Sequence, residues 1–164
     1  MKFMKLKLQD KEDFMALLDA MPSYLEKSFA DLAIADMTRN GPSGEFAPIE
    51  QVWHLADLEQ EGFAIRIQHL LWGFTTQMPD FDGDRVAKER QYKKLDFAEG
   101  IRKFKEARKR NIEILRNLKE DEWMREGKLE GVGAITLCDI PAFLFQHDLA
   151  HKAEIEAWRH YTRQ

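Results

Sequence analysis

The dominant hydrophobic period along this chain is helical. Phe14, Leu17, Leu18, Met21, Leu25, Phe29 and Leu32 recur at three- and four-residue spacing and predict an amphipathic helix from about Asp10 to Met37. Pro22 interrupts that stripe, so a kink or a break is expected near Met21. Arg39-Asn-Gly-Pro-Ser-Gly44 reads as a loop by composition. Pro48 suits a first helical turn, and Ile49, Val52, Trp53, Ala56, Phe63, Ile67, Leu70 and Leu71 carry a second helix. That helix is apolar on more than one side, which predicts a central place in a bundle.

A long connection follows, from about Phe74 to Leu95. Connections of that length in compact domains are usually functional or cross over the fold. Its Asp80-Phe-Asp82-Gly-Asp84 segment has the acidic spacing of a calcium loop but not its glycine or its closing glutamate, so that reading fails. Asp96-Phe-Ala-Glu99 is a capping box opening a third helix, with Phe97, Ile101, Phe104, Ala107, Ile112, Leu115 and Leu118 as its core stripe. Trp123, Gly127, Gly131 and Gly133 then mark an aperiodic stretch to Ile135, with room for a short hairpin. Thr136-Leu-Cys-Asp139 forms a second capping box, and Pro141 is tolerable only close to the helix start. Ile140, Phe143, Leu144, His147, His151, Ile155 and Trp158 carry the fourth helix. The expected fold is all-α: a four-helix bundle in one domain spanning 1–164.

At 164 residues the chain can bury a substantial core, and 44% hydrophobic with 33% charged residues is an ordinary soluble balance. It has no apolar run of about 18 residues, which excludes a transmembrane helix. Met1-Lys-Phe-Met-Lys-Leu-Lys-Leu8 alternates charge with bulk and lacks the apolar core of a signal peptide. A single cysteine, Cys138, rules out an internal disulfide and suits a reducing, cytoplasmic setting, with the thiol as a small buried apolar group. The net charge of −4 argues against whole-surface binding to nucleic acid. Between Arg102 and Lys119, however, eight Lys/Arg face only two Glu, so this segment carries +6 and the rest −10. A solvated helix face is the simpler reading, and a docking surface for an acidic partner or phosphate the other.

The histidines change the picture. His147 and His151 are one turn apart and continue the apolar stripe, so both point at the core. Burying an imidazole without a partner costs on the order of 1–3 kcal/mol, so the pair needs either a shared metal ion or hydrogen bonds to carboxylates. His54 also sits in an apolar run, between Trp53 and Leu55. Three histidines from two helices would make an open site, leaving a coordination position free for chemistry. Asp57 and Glu61 lie about 60° and 20° from the His54 line on the helix, and Glu154 is one turn beyond His151. These three are the candidate catalytic carboxylates, each able to fix an imidazole tautomer or to remain a surface charge. His69 is too far along its helix to share an ion with His54, and His160 lies in a polar C-terminal end.

Trp53-His-Leu-Ala-Asp-Leu-Glu59 followed by His147-Asp-Leu-Ala-His151, with this helix order, length and Trp-then-Gly-rich stretch before Thr136, resembles the DinB-like metalloenzyme superfamily. The resemblance spans most of the chain. It implies a four-helix bundle, often with up-down-down-up topology, which the long connection between helices 2 and 3 would permit. It also implies a divalent ion held by three histidines, matching His54, His147 and His151. Family members with assigned roles are largely thiol-dependent transferases and isomerases working with bacillithiol, mycothiol or glutathione, and family habit would allow a homodimer.

Two chemistries suit an open three-nitrogen site. It could activate a low-molecular-weight thiol for S-transfer, or water for hydrolysis of a small-molecule substrate; nitrogen ligands suit zinc or nickel. Two other classes compete with an enzyme. One is a non-enzymatic stress-related or ligand-binding bundle whose histidines hydrogen-bond in the core. The other is an interaction module using the basic third helix. Phe97 and Phe104 lie on that helix's core stripe and leave its basic face without a stacking platform for nucleic acid.

Overall fold

The computed structural model describes residues 10–163 and is a helical bundle; the Met1–Leu8 stretch considered above lies outside the described residues. The predicted first helix is two helices, α1 (Lys11–Asp19) and α2 (Met21–Phe29), broken at Ala20 with Pro22 in the first turn of α2. Helix does not continue to Met37 as α-helix: Ala33 is extended and Ile34–Thr38 is a 3-10 turn. The stripe ends at Leu32, and Ile34 is exposed, so no burial sustains the helix further.

Pro48 begins α3 (Pro48–Asp57), where Glu50 reaches back to the Ala47 N–H (2.9 Å). A π-helical turn (Leu58–Phe63) joins it to α4 (Ala64–Trp72), which ends at Gly73 in the left-handed region (φ 69°). The wide turn coincides with a buried acidic side chain, Glu59. Asn111 Nδ2 donates both to the Glu59 carbonyl (3.1 Å) and to its carboxylate (3.0 Å). As expected, this segment is central: α3 packs against two later helices, Phe97–Arg116 and Ile140–Thr162.

The long connection is not bare loop. It contains α5 (Gly83–Arg90), capped by Asp82 accepting from Arg85 N–H (3.0 Å), and a 3-10 turn at Tyr92–Lys94. Asp96 caps α6 (Phe97–Arg116) by accepting from Glu99 N–H (2.7 Å). The Glu99 carboxylate turns instead to Arg102 (2.6 Å). Strands β1 (Glu126–Leu129) and β2 (Gly133–Thr136) form the short antiparallel hairpin anticipated in the glycine-rich stretch. Thr136 and Asp139 cap each other reciprocally and launch α7 (Ile140–Thr162), with Pro141 in its first turn. No helix among the described residues is long and apolar enough to cross a membrane.

The basic third helix is only partly a solvated face. Arg102 pairs with Glu99 and Glu106, Lys105 with Glu26 and Arg116 with Glu12, so much of its charge is already neutralised within the fold. Arg108, 1% exposed, is in the core. Its guanidinium holds Asp148 of α7 through two hydrogen bonds (2.7 and 2.9 Å), and its Nε lies 3.0 Å from the Glu59 carboxylate. Burial pulls the Arg108 pKa down, but Glu59 and Asp148 more than offset it, so the charge persists. One buried cation thus ties α7, which carries two of the histidines, to the π turn that follows the His54 helix.

Candidate metal centre

Helix α3 delivers His54 and helix α7 delivers His147 and His151 to one point, as the helical spacing requires. Ring centroids are 5.5 Å apart for His54–His147, 4.9 Å for His54–His151 and 4.4 Å for His147–His151. Each residue offers one ring nitrogen, and these atoms all lie within 4.8 Å of one another. Burial pushes all three imidazoles below their ordinary range: His54 to about 4, His147 to about 2 and His151 to about 4. Around His147, the neighbouring histidines, Arg108 and Arg66 lower it further; at His54, His151 lowers it while Glu154 and Asp84 pull it back up. At neutral pH the cluster is therefore uncharged, the form in which imidazole binds a metal.

Hydrogen bonding selects the tautomer. His151 Nδ1–H donates to Gln51 Oε1, and Gln51 Nε2 donates in turn to Glu154 (2.7 Å). That leaves the His151 Nε2 lone pair free, 3.1 Å from His147 Nε2. Two such nitrogens repel unless a proton or cation lies between them. Nitrogens bound to one zinc ion at about 2.0–2.1 Å stand roughly 2.9–3.4 Å apart, which matches the observed spacing. His54 Nδ1 is buried and has no hydrogen-bond partner. Neutral, converging, under-partnered nitrogens are the donor set a divalent ion requires, so the residues fit the group.

The triad forms the floor of an open cleft of about 940 Å³. Phe46 and Phe81 flank His54, their ring centroids 5.4 and 6.1 Å from it, and Asp84 and Glu154 line the walls. At Gly83, the first residue of α5, a Cβ would come within 2.7 Å of His54 Nδ1 and closer still to Cε1. The missing side chain lets α5 close over the imidazole.

Of the three candidate carboxylates, the structure brings only Glu154 to the cleft. Asp57 accepts from Tyr92 Oη–H (2.6 Å) and pairs with Arg90 (2.7 Å), and Glu61 pairs with the same arginine (2.9 Å). Asp57 lies about 60° off the His54 line, enough to face the end of α5 rather than α7. For Glu61 the 3.6-residue phase is lost, because the π turn from Leu58 inserts about one extra residue per turn. Both carboxylates instead anchor α5, which carries Gly83 and Asp84 to the site. His69 is bonded to the Thr76 carbonyl (2.8 Å), His160 is exposed near the end of α7, and Cys138 is buried in the core.

Gln51 and Gly83 were not singled out in the sequence. A lone amide in the apolar run Pro48-Ile-Glu-Gln-Val-Trp-His54, one turn before the histidine, is the signal that could have found Gln51. Nothing local marks Gly83, whose role depends on a contact between α3 and α5.

A helical bundle with three imidazoles converging beneath an open cleft defines the class of protein. The family model of the DinB superfamily matches residues 17–155, and the chain belongs to that superfamily. No curated relative matches it. Among solved structures it is similar to YfiT from Bacillus subtilis, described as a probable metal-dependent hydrolase with an unusual four-helix bundle topology. The TM-score is 0.84 at 20% identity, covering 98% of this chain and 92% of that one, a likeness that shows a shared fold.

Proposed function

We propose that this protein is a divalent-metal-dependent hydrolase of small molecules, with His54, His147 and His151 as ligands and zinc or nickel as the ion. The observation that carries the reading is the convergence of three neutral imidazoles, one with its tautomer set by Gln51, beneath an open cleft. An ion held there would supply Lewis acidity toward a carbonyl or phosphoryl oxygen and lower the pKa of water.

The chain's own residues supply the rest. Gln51 holds the His151 ring by accepting at Nδ1–H, so that Nε2 faces the cleft. Arg108, by gripping Asp148 beside His147, fixes the turn of α7 that carries the ligands. Glu154 accepts from Gln51 at Oε2 and lines the cleft, a position from which it takes a proton from the attacking water and returns it to the leaving group. One water is consumed, its O–H bond and the scissile bond break, and the two products leave. S-transfer would require the cleft to admit an anionic thiol such as glutathione. No lysine or arginine lines it, which favours hydrolysis.

The test is metal analysis of untagged protein beside the His54→Ala, His147→Ala and His151→Ala variants. About one ion per chain, lost in each variant while the circular dichroism stays helical, is the expected result. Stoichiometric metal in the His151→Ala variant would sink the three-histidine assignment.

A further inference from the structure

We infer that Tyr92 is a positioning residue for His54, acting through Asp57 and α5; the inference rests on the metal reading only for the ion, not for the placing of the ring. A metal-binding imidazole is ordinarily oriented by a hydrogen bond at its other nitrogen. Gln51 does this for His151. Nothing of that kind fixes His54, whose buried Nδ1 has no hydrogen-bond partner. Packing must do it instead. Two groups that flank the ring, Phe81 (6.1 Å between centroids) and Gly83, belong to the connection between α4 and α6. At Gly83 a Cβ would lie 2.7 Å from Nδ1, so the ring rests against the α5 backbone and has no room to swing that way while α5 stays.

The place of α5 is not set by its own length or apolar face. At eight residues it is too short to be stable as an isolated helix, and only Val86 and Ala87 are buried. They join Ile49, Trp53 and Tyr92 in a small cluster separate from the main core. Asp57 fastens the C-terminal end. Tyr92, 1% exposed, donates its Oη–H to Asp57 (2.6 Å), a length typical of a hydroxyl on a carboxylate. Its ring stacks on Trp53, the residue before His54. Arg90 also reaches Asp57 (2.7 Å) and Glu61 (2.9 Å), but its side chain is 40% exposed, where water weakens an ion pair. The buried Tyr92 bond is the firmer tie.

Asp57 and His54 lie three residues apart on α3, so the contacts close a circuit. Asp57 holds Tyr92, Tyr92 ends the segment that carries α5, α5 sets Gly83 against His54, and His54 returns to α3. The other end of the segment is pinned at Met78, whose N–H donates to the Lys128 carbonyl (2.8 Å) and whose carbonyl accepts from Glu130 N–H (2.9 Å). With both ends fixed α5 confines the ring, and loosening the Tyr92 end releases it.

The test is Tyr92→Phe, which removes one hydroxyl and keeps the ring on Trp53. In metal-free protein labelled with 15N-histidine, the His54 imidazole signals should shift or broaden while those of the exposed His160 stay in place. In cobalt(II)-loaded protein the visible bands, which report coordination geometry, should change, and cobalt affinity should fall about tenfold. Ile112→Val, a truncation in the main core, controls for lost stability: its unfolding midpoint should drop with the His54 signals unmoved. Should Tyr92→Phe fail to fold, Asp57→Leu/Tyr92→Phe replaces both partners by apolar groups, a nearly neutral exchange for stability, and is read in the same way. His54 signals as in wild type, with only the midpoint lowered, overturn the proposal. The same samples separate the two ideas. No cobalt uptake by wild type, with His54 signals moved by the variant, sinks the metal reading alone; cobalt bound by wild type, with His54 signals unmoved, sinks this one alone.

Discussion

Gln51 accepts the His151 Nδ1–H bond and donates to Glu154 at 2.7 Å, so one amide orients the His151 ring and a cleft carboxylate together. Partners of this kind typically account for 10–100-fold in metal affinity. Gln51→Leu keeps the apolar volume in α3 and removes both bonds. Metal affinity, measured by competition with a chromophoric chelator, should fall by about that factor while the helical content holds. An unchanged affinity would show that packing alone sets the ring.

Gly83 is the point where α5 meets His54. In Gly83→Ala the new Cβ would approach Nδ1 to 2.7 Å, so either the imidazole or the helix must shift. Alanine is otherwise the better helix former by roughly 0.5–1 kcal/mol, so the variant should not lose thermal stability through α5 itself. The expected outcome is a loss of about tenfold or more in metal affinity, with little change in the unfolding midpoint. The reverse pattern, affinity kept and stability lost, would mean that α5 yields and His54 does not depend on it.

Arg108 neutralises two buried carboxylates, Glu59 and Asp148, from within the core. Replacing it by methionine conserves much of the volume but strands both charges. Removing one partner of a buried pair costs about 3–5 kcal/mol. Denaturant unfolding of Arg108→Met should show a loss of at least that order, and the triple variant with Glu59→Gln and Asp148→Asn should recover part of it. Stability within about 1 kcal/mol of wild type would contradict the ion network as a structural tie.

The histidine pKa values set an acid limit for the metal-free protein. All three folded values lie below the unfolded value of 6.5, so between the two the unfolded chain binds more protons. Their contribution is intact above 6.5. It falls as the pH drops toward about 4 for His54 and His151 and toward about 2 for His147. Each steepens the decline by up to about 1.4 kcal/mol per pH unit. Urea unfolding between about pH 7.5 and 5 should therefore show a steeper loss in wild type than in His147→Leu. Parallel curves would mean that the imidazoles are hydrated in the native state.

Helix existence was legible because burial imposes a 3.6-residue period on whichever side chains face the core. The stripes of α3, α6 and α7, the caps at Asp96 and Thr136, and the break near Met21 are local consequences of that period and of backbone chemistry. His147 and His151 could be paired on the same ground, and His54 could be marked as an imidazole on a buried face. Relations between elements were not legible. The π turn at Leu58–Phe63 coincides with the engagement of Glu59 by Asn111 and Arg108 on another helix, and it shifts the phase that would have put Glu61 on the His54 face. Arg108 read as part of a basic surface because its partners are distant in sequence. The roles of Gln51 and Gly83, the acidic cleft, and the helix inside the long connection likewise arise only when α3, α5 and α7 meet. Periodicity reports which side of a helix is buried. What lies on the other side of that contact belongs to the tertiary structure.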